Sequence, residues 1–197
     1  TPALVLSSRK LDTPVYGVSF QTDEPLDMRF DPSASLSADD VVNEYSGEDL
    51  ANVIFQYGEE PRSRRIARAI VRNRPGNSTG QLASLVASGL RTGSRTGRRV
   101  HPATRIFQAL RIEVNDELTG VEAGLSAAVE LLAPSGRLLV ISYHSLEDRI
   151  VKTFFQREST DCVCPPGFPV CVCQHEATMN LVNRRIIRPS PEEVTDN

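Results

Sequence analysis

Residues 61–111 contain twelve arginines and not one aspartate or glutamate. Like charges at that density repel one another, so the stretch folds stably only with its guanidinium groups kept apart and facing a counter-charge. Either the acidic parts of the same chain supply that counter-charge or a polyanion does, and nucleic acid is the commonest polyanion. The flanks are acidic: residues 1–60 carry twelve acidic and three basic residues, and residues 112–197 carry thirteen and seven. The formal net charge of −3 therefore conceals a strong segregation. Arginine outnumbers lysine twenty to two, and the planar guanidinium fork suits phosphate oxygens.

The apolar pattern says how such a block packs. Ser37 with Asp40, and Ser46 with Asp49, are capping-box-like pairs ahead of apolar runs. Leu50, Val53, Ile54 and Tyr57 then recur at i, i+3, i+4 and i+7, with Gly58 as a stop signal. Pro61 opens a third helix whose core face carries Ile66, Ala69 and Ile70, leaving Arg62, Arg65, Arg68 and Arg72 mostly on the exposed side. Leu82, Leu85, Val86 and Leu90 predict a fourth helix, and residues 91–100 form a Gly- and Arg-rich loop. Beyond Pro102, Ile106, Phe107, Leu110, Val114 and Leu118 make the stripe of a long helix, with another from about residue 121 to 132. Leu4-Val5-Leu6, residues 137–143 and residues 181–187 read as strands. Before the helical block, residues 9–35 show no period, and a loop of that length is usually functional.

The expected fold class is therefore α/β, with an inserted all-helical subdomain. The helical, basic insert, expected to meet nucleic acid, spans residues 36–100, and residues 1–35 and 101–197 make the remaining domain. Hydrophobic content of 40% is ordinary for a globular protein. No apolar run approaches the ~20 residues that span a bilayer. Thr1-Pro2-Ala3-Leu4 does not read as a signal peptide, so a cytoplasmic chain without a membrane partner is expected.

Five ordered stretches carry a resemblance: Pro25-Leu26-Asp27-Met28-Arg29-Phe30-Asp31, Tyr57-Gly58-Glu59-Glu60, Arg65-Ile66-Ala67-Arg68-Ala69-Ile70-Val71, His101-Pro102-Ala103-Thr104-Arg105-Ile106-Phe107-Gln108-Ala109-Leu110-Arg111-Ile112, and His144-Ser145-Leu146-Glu147-Asp148-Arg149. Together they resemble the bacterial S-adenosylmethionine-dependent family that N4-methylates a cytidine in the decoding region of 16S ribosomal RNA. The resemblance implies a Rossmann-like class I methyltransferase sheet carrying the helical insert, with 16S rRNA in the small ribosomal subunit as partner.

It also implies an N-terminally incomplete member. The family's donor-contacting segment reads Asp-Leu-Gly-Val-Ser-Ser-Pro-Gln-Leu-Asp, and the aligned stretch here begins at Ala3. Ala3 stands where the family has its donor-contacting Asp, and Lys10 where it has Gln. Each of these substitutions weakens donor binding by about 1–3 kcal/mol. The donor-binding half is expected to be missing, leaving the Leu4-Val5-Leu6 edge bare and open to pairing with a second copy. A non-catalytic RNA-binding module or a degenerate remnant is the alternative.

For N4 transfer the site must accept the amine's proton and hold the base out of its stack. The resemblance places Ser7 and Ser8 at one strand end, with His144, Ser145 and Asp148 at the same rim, as the catalytic set. Ser145 at N-cap with Asp148 at N3 is equally a plain capping box, and His144 a packed histidine. Arg29 and Asp31 can simply pair and pin the long loop. Arg91, Arg95, Arg98, Arg99, His101, Arg105 and Arg111 are the candidate RNA contacts, the last two otherwise being solvent-exposed helix residues.

Cys162-Val163-Cys164 and Cys171-Val172-Cys173 flank a Pro/Gly turn. Period-two alternation puts all four sulfurs on one face of a hairpin, which suits a tetrathiolate zinc site. The spacing is Cys-x-Cys rather than the usual Cys-x-x-Cys, so reduced thiols without metal remain the other reading. The family's chemistry needs no metal.

Overall fold

The structure, a computed structural model, describes residues 18–20, 22–90, 101, 103–165, 167, 170–183, 185–190 and 192–193. The described residues contain seven helices and no strand. They divide into two compact units, the first ending at Gly120 and the second beginning at Val121.

In the first unit the helices are α1 (Ala38–Glu44), α2 (Gly47–Gly58), α3 (Ser63–Arg72), α4 (Thr79–Leu90) and α5 (Ala103–Asn115). Helix α1 starts on the capping box read from the sequence: Asp40 N donates to Ser37 Oγ at 3.3 Å, and Ser37 N to Asp40 Oδ2 at 2.7 Å. Helix α2 starts the same way, with Asp49 N donating to Ser46 Oγ at 3.1 Å. It ends on Glu59, whose φ of 47° is left-handed. Gly58 is therefore the last helical residue rather than the stop. It is glycine because a Cβ there would lie 2.7 Å from the Arg105 carbonyl oxygen of α5. At the end of α1, Arg74 donates from Nε to Val42 O at 2.7 Å and from Nη2 to Tyr45 O at 2.6 Å, satisfying carbonyls the helix leaves open.

Helix α5 runs through the core. Ile106 and Leu110 are fully buried against Val42, Leu50, Ile54 and Ile66, each such side chain contributing about 1.5–3 kcal/mol. The irregular segment before α1 is pinned to its far end. Asn115 Nδ2 donates to Met28 O, and Phe30 N donates to Asn115 Oδ1, both at 2.8 Å. Met28 needs that clamp, because its φ of 61° is strained for a residue with a side chain. Arg29 pairs with Asp27 at 2.7 Å rather than with Asp31, whose carboxylate takes Ser33 instead. The stripe read as one long helix breaks at Asp116, φ 46°, where α6 (Glu117–Leu131) begins.

In the second unit the part of α6 from Val121 onward and α7 (Ser145–Glu158) enclose a smaller core of Leu125, Val151 and Phe154, with Leu138, Val140 and Met179 half-buried on it.

The expectation of an α/β fold with a partial Rossmann-like sheet is corrected here: the described chain is helical. Residues 137–143 are extended but belong to no ladder. Leu138 and Val140 pack inward, whereas Leu139, Ile141 and Tyr143 are 82%, 73% and 82% exposed. A buried parallel strand hides both faces; this segment hides one. Residues 181–187 carry Val182 and Ile187 at 80% and 83% exposure and likewise form no strand among the described residues. The third expected strand, Leu4-Val5-Leu6, lies outside the described residues. No described helix is long and apolar enough to cross a membrane.

Candidate functional site

Helix α3 has no acidic residue, and its two faces divide sharply. Ile66, Ala67 and Ile70 are buried, while Arg64, Arg65, Arg68 and Arg72 are exposed. No described carboxylate pairs with Arg64, Arg68 or Arg72 in an ion pair. This outward row of guanidinium groups presents planar donor forks whose geometry suits phosphate oxygens.

The turn from α2 into α3 hides a carboxylate. Glu60 is 1% exposed and accepts from Arg62 N at 3.1 Å and Arg62 Nε at 3.2 Å. Arg105 Nη1 stands 3.8 Å from its other oxygen and donates to Glu59 O at 3.1 Å. A buried carboxylate is tolerable only when paired in this way, so Arg62 and Arg105 help to lock α2, α3 and α5 together.

Of the expected RNA contacts, Arg91, Arg95, Arg98 and Arg99 lie outside the described residues. His101 is exposed, caps α5 by accepting from Ala103 N at 3.2 Å, and stacks 4.8 Å from the Phe20 ring. Arg105 is half-committed to Glu59 and Glu60 yet 46% exposed. Arg111 is bidentate to Glu117 at 2.7 and 3.1 Å, and both side chains are largely buried. Beside it, Tyr45 Oη donates to Glu113 at 2.8 Å at the mouth of a polar cleft that Asp49, Asn52, Gln56 and Tyr57 also line. Burial first, and the Glu113 carboxylate second, push the Tyr45 hydroxyl up to about 12. That cleft carries two carboxylates and no cation, so it repels phosphate.

In the second unit His144 is the N-cap of α7. Its Nδ1 accepts from Glu147 N at 3.4 Å, and Glu147 Oε2 accepts from Tyr143 N at 2.9 Å. The cap is thus His144 with Glu147, one residue earlier than Ser145 with Asp148. His144 Nε2 is buried, 3.3 Å from Glu147 Oε1 but without hydrogen-bond geometry. Asp148 bonds Lys152 one turn on, and Ser145 is exposed in the first helical turn. With Nδ1 accepting from the Glu147 N–H and Nε2 buried, neither ring nitrogen of His144 faces solvent, whereas the ring of Tyr143 beside it is exposed and can flank a planar base. Ser7, Ser8, Ala3 and Lys10 lie outside the described residues.

The four cysteines are free thiols, with sulfurs all within 4.8 Å of one another. Backbone N–H groups of His175 and Val163 pull the Cys173 thiol down to about 6.

The MraW methylase family matches residues 3–197. The chain belongs to that family. It is 55% identical over 194 residues to "Ribosomal RNA small subunit methyltransferase H" of Dehalococcoides mccartyi. Relatives of the same name from Thermomicrobium roseum and Carboxydothermus hydrogenoformans are 54% and 48% identical. Each alignment covers 98% of this chain but 55%, 60% and 63% of the relative, so the chain spans a little over half their length. Within this MraW-family chain, sequence reasoning left Arg64 unremarked and did not count α3 among the RNA contacts. The signal was present, since Arg65, Arg68 and Arg72 recur at i, i+3 and i+7. It missed Glu147 as well, one residue from the pair it chose.

Proposed function

We propose that this chain is the RNA-facing and rim part of an S-adenosylmethionine-dependent methyltransferase of small-subunit ribosomal RNA, acting in the cytoplasm. The acceptor in this reading is the exocyclic N4 of a cytidine in the decoding region of 16S rRNA. Membership of the MraW methylase family over residues 3–197 carries the reading. The names of the relatives and the outward arginine row of α3 support it.

Bound donor would supply an electrophilic methyl group. Ala3 and Lys10 lack the carboxylate and amide of the family segment. Among the described residues no glycine-rich turn leads a strand into a helix. Donor contacts are therefore not assigned to the described residues. What this chain contributes is substrate handling. Arg64, Arg65, Arg68 and Arg72, with Arg91, Arg95, Arg98, Arg99, His101 and Arg105, hold the RNA backbone. Arg111 is spent on Glu117 within the first unit instead. Ser7, Ser8 and Ser145 are the hydroxyls offered to orient the N4 amine through hydrogen bonds. His144, held between the Glu147 N–H and its carboxylate, braces the start of α7, and Asp148, paired with Lys152, stands one turn away.

Calorimetry separates this reading from a binding module lacking catalysis, which the Ala3 and Lys10 substitutions favour. Heat with S-adenosylmethionine, together with binding to 16S rRNA or 30S particles, supports the enzyme. RNA binding without donor heat would leave the chain, by itself, a binding module. Absence of RNA binding would sink both.

A further inference from the structure

We propose that Cys162, Cys164, Cys171 and Cys173 form a tetrathiolate site for one zinc ion, a structural staple just beyond the C-terminal end of α7. Cys171 Sγ lies 3.5 Å from Cys173 Sγ, which lies 3.9 Å from Cys162 Sγ, and all four sulfurs fall within 4.8 Å. A zinc ion with Zn–S bonds of about 2.3 Å sits in a tetrahedron of sulfurs about 3.8 Å apart. The thiols already stand near that spacing, so small side-chain rotations complete the cage. A disulfide needs sulfurs at about 2.05 Å, and the four cysteines are unpaired.

The surroundings fit a metal site. Val163 N donates to Cys173 Sγ at 3.4 Å, the kind of N–H···S contact that steadies a bound thiolate. Gly167, φ 92°, has open space around its Cα, so the connection between the two Cys-x-Cys arms can reverse there. The far end of the segment is tied back to the close of α7 and the residues just after it. His175 Nε2 lies 2.9 Å from Arg157 O, Ala177 N donates to Asp161 Oδ1 at 3.1 Å, and Thr178 N donates to Glu158 O at 2.9 Å. Two thiols are exposed and two half-buried, which leaves an entry path for the ion. Loading releases the thiol protons to water and forms four Zn–S bonds without oxidation. Four protein ligands leave no open position, so the ion holds structure and takes no part in methyl transfer.

The test uses the whole chain, purified under reducing conditions without chelator. Elemental analysis should find about one zinc per chain. Cobalt(II) added to the apo chain should give the intense visible bands and thiolate charge transfer of a tetrahedral sulfur site. Zinc removal should speed amide exchange in residues 160–179 about tenfold or more while residues 38–58 are unchanged. Cys171→Ser with Cys173→Ser should abolish uptake. Should that variant misfold, the cobalt spectrum of the unaltered chain still decides. A folded chain with less than about a tenth of an equivalent of zinc and no cobalt bands overturns the proposal. Disulfide pairing of these cysteines in the reduced preparation overturns it too.

Discussion

Gly58→Ala probes the crossing on which the first unit is built. A Cβ at Gly58 would stand 2.7 Å from the Arg105 carbonyl oxygen and 3.4 Å from Ala109 Cβ. The first is a backbone atom held in the α5 hydrogen-bond ladder, so it cannot swing aside as a long side chain would. The helices must part by several tenths of an ångström, and overpacking of this kind costs about 1–3 kcal/mol. Alanine is a better helix former than glycine and offsets about 0.5–1 kcal/mol of that. The net is a loss of up to about 2.5 kcal/mol, a rise of up to about 70-fold in the opening equilibrium. Because the chain forms two units, a single melting curve mixes their transitions. Hydrogen exchange read by mass spectrometry on peptides within residues 50–57 and 103–114 reports this unit alone, and peptides within 145–157 serve as the unaffected control. If Gly58→Ala exchanges no faster than the parent chain in both probe regions, the close approach is not what requires glycine. The account of the α2–α5 crossing is then wrong.

Reversing α3 with Arg68→Glu and Arg72→Glu should weaken RNA binding and flatten its salt dependence, by about 0.7–0.9 in log–log slope for each phosphate no longer held. Arg111→Gln should leave RNA affinity alone and instead destabilise the first unit by about 1–3 kcal/mol, because Glu117 loses its partner in a largely buried place. The Arg29 guanidinium beside Asp27 holds that carboxyl below its ordinary 3.8. The pair's stability is therefore full above that value and disappears as pH falls through the folded-state pKa; exchange in residues 25–34 should rise there, and Asp27→Asn should remove the pH dependence. In an ultraviolet titration one tyrosine should ionise at about 12 rather than 10, and Glu113→Gln should lower it only partly, since burial is the larger cause. Stability that depends on the neutral Tyr45 hydroxyl should fall as pH rises from 10 toward 12.

Local devices were legible from the sequence, and non-local ones were not. Ser37 with Asp40 and Ser46 with Asp49 sit where the sequence placed them, because a cap is decided within four residues. Ser145-x-x-Asp148 and His144-x-x-Glu147 both meet the capping spacing. Serine's intrinsic preference favoured the wrong one, since His144 Nδ1 can accept the same N–H. Gly58 read as a stop for local reasons, yet its cause is Arg105, far along the chain. Asn115 holds Met28 and Phe30 across 85 or more residues, a clamp that no periodicity announces. The apolar run 137–143 has the composition of a buried strand, but a strand also needs a backbone neighbour to pair with. The exposure of Leu139, Ile141 and Tyr143 records that none of the described residues supplies one.

The arginine block raised two rival explanations, a polyanion outside or acidic flanks inside, and the structure shows which arginines the second one claims. Arg62 and Arg105 turn inward to Glu60 and Glu59, and Arg111 turns to Glu117, carboxylates and carbonyls from either side of the block. Arg74 spends its guanidinium on the carbonyls that end α1. These four neutralise the fold's own polar ends and are held by it. Arg64, Arg68 and Arg72 stand on the opposite side of α3 from Ile66 and Ile70, where no described carboxylate reaches them. Arg68 Nε donates to Arg64 O, but no ion pair with a described carboxylate neutralises Arg64, Arg68 or Arg72, whereas a phosphate at Arg111 would have to displace Glu117 first. Segment charge alone cannot draw that distinction, because it counts both kinds of arginine alike.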